Sequence, residues 1–419
     1  MVATVNPKAE ELMQAKSRWK LLQAHVLFRH GDRSPNVRSA YASSIPANVK
    51  TLWAHRLVDI ETFERQKYVE GGNPFPFGLL TKKGAHQAYE LGQRLQIRYG
   101  DLIEGNSAEA GSNLVIRSTN YARTHASARF VLTGLLDSEE AAQRQQITFM
   151  ADDEESLYPN PACKSWGALS KRRLRDATKK EDSPEAYKWH ARLEHITGPT
   201  LKHFHIPPRK FPWLILMDAL ICAEAHGDPW PDVVKPADFK KVKEMNAAEV
   251  SDIFSDQDIC QIAMGNLIGE LLQHLSTKVD SHERPGPPRL LLYSGHDTTL
   301  LPLCACLGVP LKTWPGYSSD LAIELWLDQE SDQFFVRVLY EGQELPLPDE
   351  PPKDGESWPG KAPTEGKTLC RWQDFKRIAQ WSYIPPDEVK RRCNAVPVDK
   401  AALAGVVSSG GGSFDSSKL

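Results

Sequence analysis

Long apolar runs are missing from this chain of 419 residues. Nowhere do the roughly eighteen consecutive apolar residues of a membrane-spanning helix occur, so no span is expected. An excess of charge of one sign is missing too: 51 Lys and Arg stand against 54 Asp and Glu, a formal net charge of -3. Without a basic footprint, nucleic acid and anionic membrane surfaces are poor candidates for a main partner, and an anionic substrate must be met locally. Cysteine is scarce and unpatterned. Cys163, Cys222, Cys260, Cys304, Cys306, Cys370 and Cys393 are an odd number without a C-x-x-C pair, which argues against a disulfide framework and a zinc ribbon and fits a reducing compartment. The first residues lack the apolar core of a secretory signal, and Glu10 and Glu11 speak against a mitochondrial presequence. No internal repeat is visible, which sets solenoids and propellers aside.

What is present suffices for two domains, or one large domain with an insertion. Three short apolar runs end in charge. Leu21 to Phe28 ends in Arg29 and His30; Leu114 to Ile116 ends in Arg117, with Ser118 placed to cap a helix carrying Ala122, Ala126 and Phe130; Leu290 to Tyr293 ends in Ser294, Gly295, His296 and Asp297. Each reads as a buried strand with its polar residues just past the carboxyl end. Leu80 to Tyr99 keeps helical spacing, and Leu321 to Leu327 with Phe334 to Tyr340 alternates like a hairpin. The expected fold is an α/β protein with an open, mostly parallel sheet flanked by helices, formed by residues 20–155 and 285–395. Residues 156–284, rich in charge and poor in strand runs, form an inserted, mostly helical lobe. In such sheets ligands bind outside the carboxyl ends of the strands, so Arg29, His30, Arg33, Arg117, His296 and Asp297 are expected to converge on one crevice.

The segment RHGDRSP packs two guanidinium groups and an imidazole into five residues. Clustered cations repel one another and lose solvation, which makes sense in a crevice built for an anion. Arginine matches phosphate oxygens in bidentate fashion, and Arg117 offers a third. An imidazole among such cations has a depressed pKa and stays neutral and nucleophilic. Phosphoryl transfer to it leaves an alkoxide that needs a proton, and Asp297 across the crevice is placed to give it. A binding module that keeps the arginines without turnover is the reading from another class; it has no use for His30 and Asp297 together.

These residues resemble the histidine acid phosphatases. Arg29, His30, Gly31, Arg33 and Pro35 match that family's RHGxRxP motif, and His296 and Asp297 match its HD motif. The resemblance implies an α/β domain with a helical lobe, and hydrolysis of phosphate monoesters through a phosphohistidine, without metal or cofactor. His30 becomes the nucleophile, Asp297 the proton donor, and Arg29, Arg33, Arg117 and His296 the phosphate pocket. Within the family, LYPNPACKSW, KRRLRDATKK and WPGYSSDLAIELW look closest to the lysophosphatidic acid phosphatase type, with a generic, sugar or inositol phosphate phosphatase as the alternative. The alcohol is expected to be chosen by Ala40 to Leu79 and by the helical lobe. The basic cluster from Lys171 to Lys180 reads as a solvated face or as a guide for an anionic substrate.

From Gly405 the chain turns Gly/Ser-rich, and residues 404–419 read as a flexible tail. It ends in Ser417, Lys418 and Leu419, the tripeptide read by the peroxisomal import receptor, so a peroxisomal location is expected.

Overall fold

Leu21 to Phe28 is apolar on both faces apart from Gln23 and His25, and it forms the central strand β1 (Trp19–Arg29) of a computed structural model. The structure describes residues 18–36, 46–58, 78–103, 113–178, 184–205, 213–282, 288–359, 363 and 366–395. After β1 come α1 (Ala47–Arg56), α2 (Lys82–Ile103), β2 (Leu114–Ser118), α3 (Ala122–Leu136), α4 (Glu139–Arg144) and β3 (Ile147–Thr148). Helices alone follow among the described residues: α5 (Lys164–Thr178), α6 (Pro184–His203), α7 (Trp213–His226), α8 (Pro236–Ile253) and α9 (Gln257–Asp280). The chain returns to the sheet with β4 (Leu290–Gly295), α10 (Asp297–Cys306), β5 (Asp320–Asp328), β6 (Gln333–Tyr340), β7 (Gln343–Glu344) and β8 (Cys370–Arg371), and closes on α11 (Trp372–Trp381) and α12 (Pro386–Asn394).

The strands run in the order β3-β2-β4-β1-β5-β6-β7, with β8 also on β6. β1, β2, β3 and β4 pair in parallel, β5 reverses against β1, and β6 reverses again. Five of the eight strands therefore point one way, and the parallel half holds the three charged strand ends side by side in the order β2-β4-β1. Side chains alternate across the sheet. Ala24, Val26, Phe28, Ile116 and Leu292 pack under Leu91 and Leu95 of α2 and Val131 and Leu132 of α3. Leu27, Leu291 and Tyr293 face the other way, into a core shared with Leu220, Phe239, Leu267 and Leu271 of the helical stretch. Each leucine buried there contributes roughly 2 kcal/mol. No helix among the described residues is long and apolar enough to cross a membrane.

Two expectations are corrected. Ser118 is the last residue of β2, and its hydroxyl donates to the Thr119 carbonyl; a turn intervenes before α3 begins at Ala122, so Ser118 caps nothing. The cysteines are not all unpaired: Cys163 and Cys393 form a disulfide across 230 positions, and the other five are buried thiols. α5 and α12 both pack on α9, which brings the two sulfurs together; an odd total conceals one such pair. Of the basic cluster, Lys171 and Arg172 are exposed and Arg173 pairs with Asp252, while the side chains from residue 174 to Lys180 lie outside the described residues. So do residues 404–419, with their terminal tripeptide, and most of Ala40 to Leu79.

Candidate active site

Arg29 and Gly295 are register partners at the carboxyl ends of β1 and β4, and there the chain turns out of the sheet. The His30 amide donates to the Gly295 carbonyl at 3.0 Å, while His30 Nδ1 lies 2.8 Å from the Gly31 carbonyl. A carbonyl oxygen only accepts, so Nδ1 carries the hydrogen and Nε2 keeps its lone pair. Burial first, then the charges of Arg123, Arg29 and Arg33 and the neighbouring His296, hold this imidazole well below its ordinary pKa. It is neutral, and its free nitrogen is the nucleophilic one.

Gly31 is glycine for a steric reason. A Cβ there would lie 2.1 Å from the Gly84 carbonyl oxygen, and one on Gly84 2.1 Å from that of Asp32, so the turn rests directly on the first turn of α2. Below the contact, Asp32 is buried. Its Oδ2 accepts from the Thr81 hydroxyl at 2.5 Å and from His226 Nε2 at 2.6 Å.

His296 stands across the crevice, its ring centroid 5.6 Å from that of His30. Thr124 Oγ1 donates to main-chain carbonyls and therefore accepts from Thr119 Oγ1 at 2.8 Å. Thr119 in turn accepts from His296 Nε2 at 3.0 Å. That leaves His296 Nδ1 as the acceptor facing Arg123 Nη2 at 3.4 Å. Burial, then Arg123, Arg33 and Arg29, keep this ring neutral as well. Tyr121 and Tyr158 meet it edge-on, with centroids at 5.1 and 5.6 Å.

Asp297 opens α10. Its Oδ1 accepts from the Thr298 amide at 2.8 Å; its Oδ2 accepts from Arg29 Nη2 at 2.8 Å and Trp314 Nε1 at 2.9 Å. Arg29 also donates to the Pro315 carbonyl at 2.6 Å and lies over the Tyr317 ring, 4.4 Å from its centroid. Arg33 Nη2 donates to Asp218 Oδ1 of α7 at 2.5 Å, and Asp218 Oδ2 accepts the Asn36 amide at 2.9 Å. The Nε–H groups of Arg29 and Arg33 are buried without an acceptor among the described residues. Donors left so at a focus of positive charge suit a phosphate.

Arg29, His30, Arg33, His296 and Asp297 thus come together, and Arg117 does not. In the sheet Arg117 is level with Tyr293 and Tyr293 with Leu27, which sets Arg117 two residues, roughly 7 Å, deeper than Arg29. There it is neutralised by Glu155 at 2.6 Å and by Glu270. The third pocket arginine is Arg123, in the first turn of α3, whose charge reaches both histidines. Its position just past the β2 end, at the start of a helix already evident in the sequence, was the available signal. A second missed set lies on α7. Asp218, Cys222 and His226 touch Arg33, the Arg33 carbonyl and Asp32 and stand four residues apart, one stripe of a helix.

A family model described as histidine phosphatase superfamily (branch 2) matches residues 20–341. Lysophosphatidic acid phosphatase type 6 of Homo sapiens is 29% identical over 356 residues, covering 78% of this chain and 79% of that protein. Lysosomal acid phosphatase of Bos taurus is 25% identical over 376 residues, covering 86% and 78%. Among solved structures, the phytase from Citrobacter braakii superposes with a TM-score of 0.59 at 15% identity, covering 90% of this chain and all of that one; the apo phytase of Hafnia alvei does so with 0.58. The family match spans both strand ends that carry the RHGDRSP turn and the His296-Asp297 turn, and on that ground the chain belongs to branch 2 of the histidine phosphatase superfamily.

Proposed function

We propose that this protein is an acid phosphatase that hydrolyses phosphate monoesters through a phosphohistidine on His30. One observation carries the reading: a buried imidazole with Nδ1 tied to the Gly31 carbonyl and a free Nε2 shares a crevice with Arg29, Arg33, Arg123 and an aspartate on the opposite wall. The arginines hold the equatorial phosphate oxygens and offset their charge. His30 Nε2 attacks phosphorus, the P–O bond to the alcohol breaks, and Asp297 gives the departing oxygen its proton. The Asp297 carboxylate then takes a proton from water, whose oxygen displaces His30, and orthophosphate leaves with both groups restored. No step draws on a metal or an organic cofactor; the guanidinium groups supply the positive charge.

For the alcohol, we propose lysophosphatidic acid or a related lipid monophosphate. Its support is the activity for which the relatives at 29% identity are named, together with Tyr121 and Tyr158 beside the pocket. Comparing kcat/KM for lysophosphatidic acid, a sugar phosphate and inositol hexakisphosphate tests it; preference for either of the last two refutes it. The chemistry is tested by His30→Ala, expected to abolish turnover of p-nitrophenyl phosphate, and by trapping phosphorylated His30 in an acid-free quench. Unchanged turnover in the variant would sink the mechanism.

We also propose that Ser417, Lys418 and Leu419 direct the chain to peroxisomes through the import receptor. A fluorescent fusion carrying this tail at its free end should collect in peroxisomes, and one without the three residues should not.

A further inference from the structure

Trp314 is buried, and its indole nitrogen is spent on one group, Oδ2 of Asp297 at 2.9 Å. The segment that carries it is fastened to the site at every step. The Pro315 carbonyl accepts from Arg29, the Tyr317 ring covers the Arg29 guanidinium, the Ser318 amide donates to the His30 carbonyl at 3.2 Å, and the Ser319 carbonyl accepts the Arg29 amide at 2.9 Å. Ser318 does this at φ 54°, a conformation a serine adopts only when its surroundings impose it. The strap therefore holds β1 and the start of α10 in one frame, with the indole pointed at the carboxylate.

Two side chains share Oδ2, and their duties differ. The Arg29 guanidinium is divided between Asp297, the Pro315 carbonyl and, in the proposed mechanism, the phosphate. Trp314 Nε1 donates to Asp297 alone among the described residues. An indole N–H donates and never accepts or titrates in this range, so it holds Oδ2 as the Thr298 amide holds Oδ1, and the two bonds together fix the plane of the carboxyl.

We infer that Trp314 is the positioning residue of the general acid: it fixes the plane of the Asp297 carboxyl so that the group presents its proton to the departing alkoxide. The inference rests on the acid role proposed for Asp297 and goes beyond it by naming what orients that acid.

A positioning role shows in dependence on the leaving group. Alkyl phosphates need the proton, whereas p-nitrophenolate leaves readily without it. Trp314→Phe keeps a ring in the site and removes the N–H. It should lower kcat for glycerol 2-phosphate about tenfold more than for p-nitrophenyl phosphate, with KM for both within about twofold. Asp297→Asn should show the same discrimination, larger, and adding Trp314→Phe to it should change glycerol 2-phosphate turnover no more than about twofold, since the two substitutions act through one proton. Equal loss on both substrates in Trp314→Phe, with Asp297→Asn still discriminating, overturns the role of Trp314 alone. Loss of discrimination in Asp297→Asn overturns the acid role and this inference with it.

Discussion

Replacing Arg117 by methionine leaves the buried carboxylate of Glu155 and the half-buried one of Glu270 without their guanidinium, whereas Arg123 lends its charge to His30 and His296. Arg117→Met should therefore destabilise the fold by about 3–5 kcal/mol, read as a lower urea midpoint, with kcat/KM of the folded enzyme within a few-fold of the parent. Arg123→Met should act on catalysis: a fall in kcat/KM of about a hundredfold or more. If Arg117→Met proves the more damaging to catalysis, the assignment of the third arginine is wrong. His30 gives a second residue-scale expectation. Its pKa lies well below the usual 6.5 because charging it means burying a cation among three arginines, so lowering the pH from 7 to 5 should not protonate it. Nitrogen NMR of histidine-labelled protein at pH 5 should show a neutral Nδ1–H imidazole for His30, and imidazolium signals there would contradict the tautomer deduced from its bond to Gly31.

At the scale of elements, α7 governs the phosphate turn. Asp218, Cys222 and His226 form a stripe four residues apart and hold Arg33 and Asp32 of RHGDRSP. Asp218 has a further effect: it sets a carboxylate on Arg33, one of the arginines proposed to hold the phosphate, which tolerates one phosphate but repels a second beside it. Asp218→Asn should raise kcat/KM for inositol hexakisphosphate relative to glycerol 2-phosphate by about threefold to tenfold; an unchanged or falling ratio refutes that role. The elements themselves were readable. Arg29, His30, His296 and Asp297 end continuous apolar runs, and a parallel sheet must bring such ends to one side. Register was not readable. Nothing in LVIRS says that Arg117 stops two residues short, because depth in a sheet is set by the neighbouring strands. The stripe on α7 was legible in part, since Asp218 is the single charge in the apolar run WLILMDALIC, but the turn it faces is almost 190 positions away. Trp314 is core, with its one polar atom turned to the site.

For the whole molecule, one apolar core continues from the sheet into α7, α8 and α9, so the sheet and these helices should unfold together, in a single transition by both tryptophan fluorescence and far-UV circular dichroism. Its stability should depend on pH in a stated direction. His30 and His296 are held neutral far below 6.5, and His25 is pushed down to about 3 by burial and then by His274. Below pH 6.5 the unfolded chain binds protons at these positions that the folded chain refuses, so this contribution is full above 6.5 and is lost as the pH falls toward 3. The urea midpoint should decline steadily from pH 7 to pH 4, and a flat profile would mean that these histidines charge within the fold. The Cys163–Cys393 bridge, which composition had concealed, adds a covalent term. Cys163→Ser should lower stability by about 2–5 kcal/mol and leave kcat/KM within a few-fold, because the bridge ties the start of α5 to α12 and not to either strand end of the crevice.

A bridge spanning 230 positions also leaves a chemical mark of the surroundings in which each copy matured. Denatured with an alkylating reagent and no reductant, a copy matured under oxidising conditions offers five thiols, while one kept under reducing conditions offers all seven of the chain's cysteines. The mass difference between the two alkylated forms, measured on protein taken directly from cells, reports the redox history of the population, and does so independently of any tag fused to the tail.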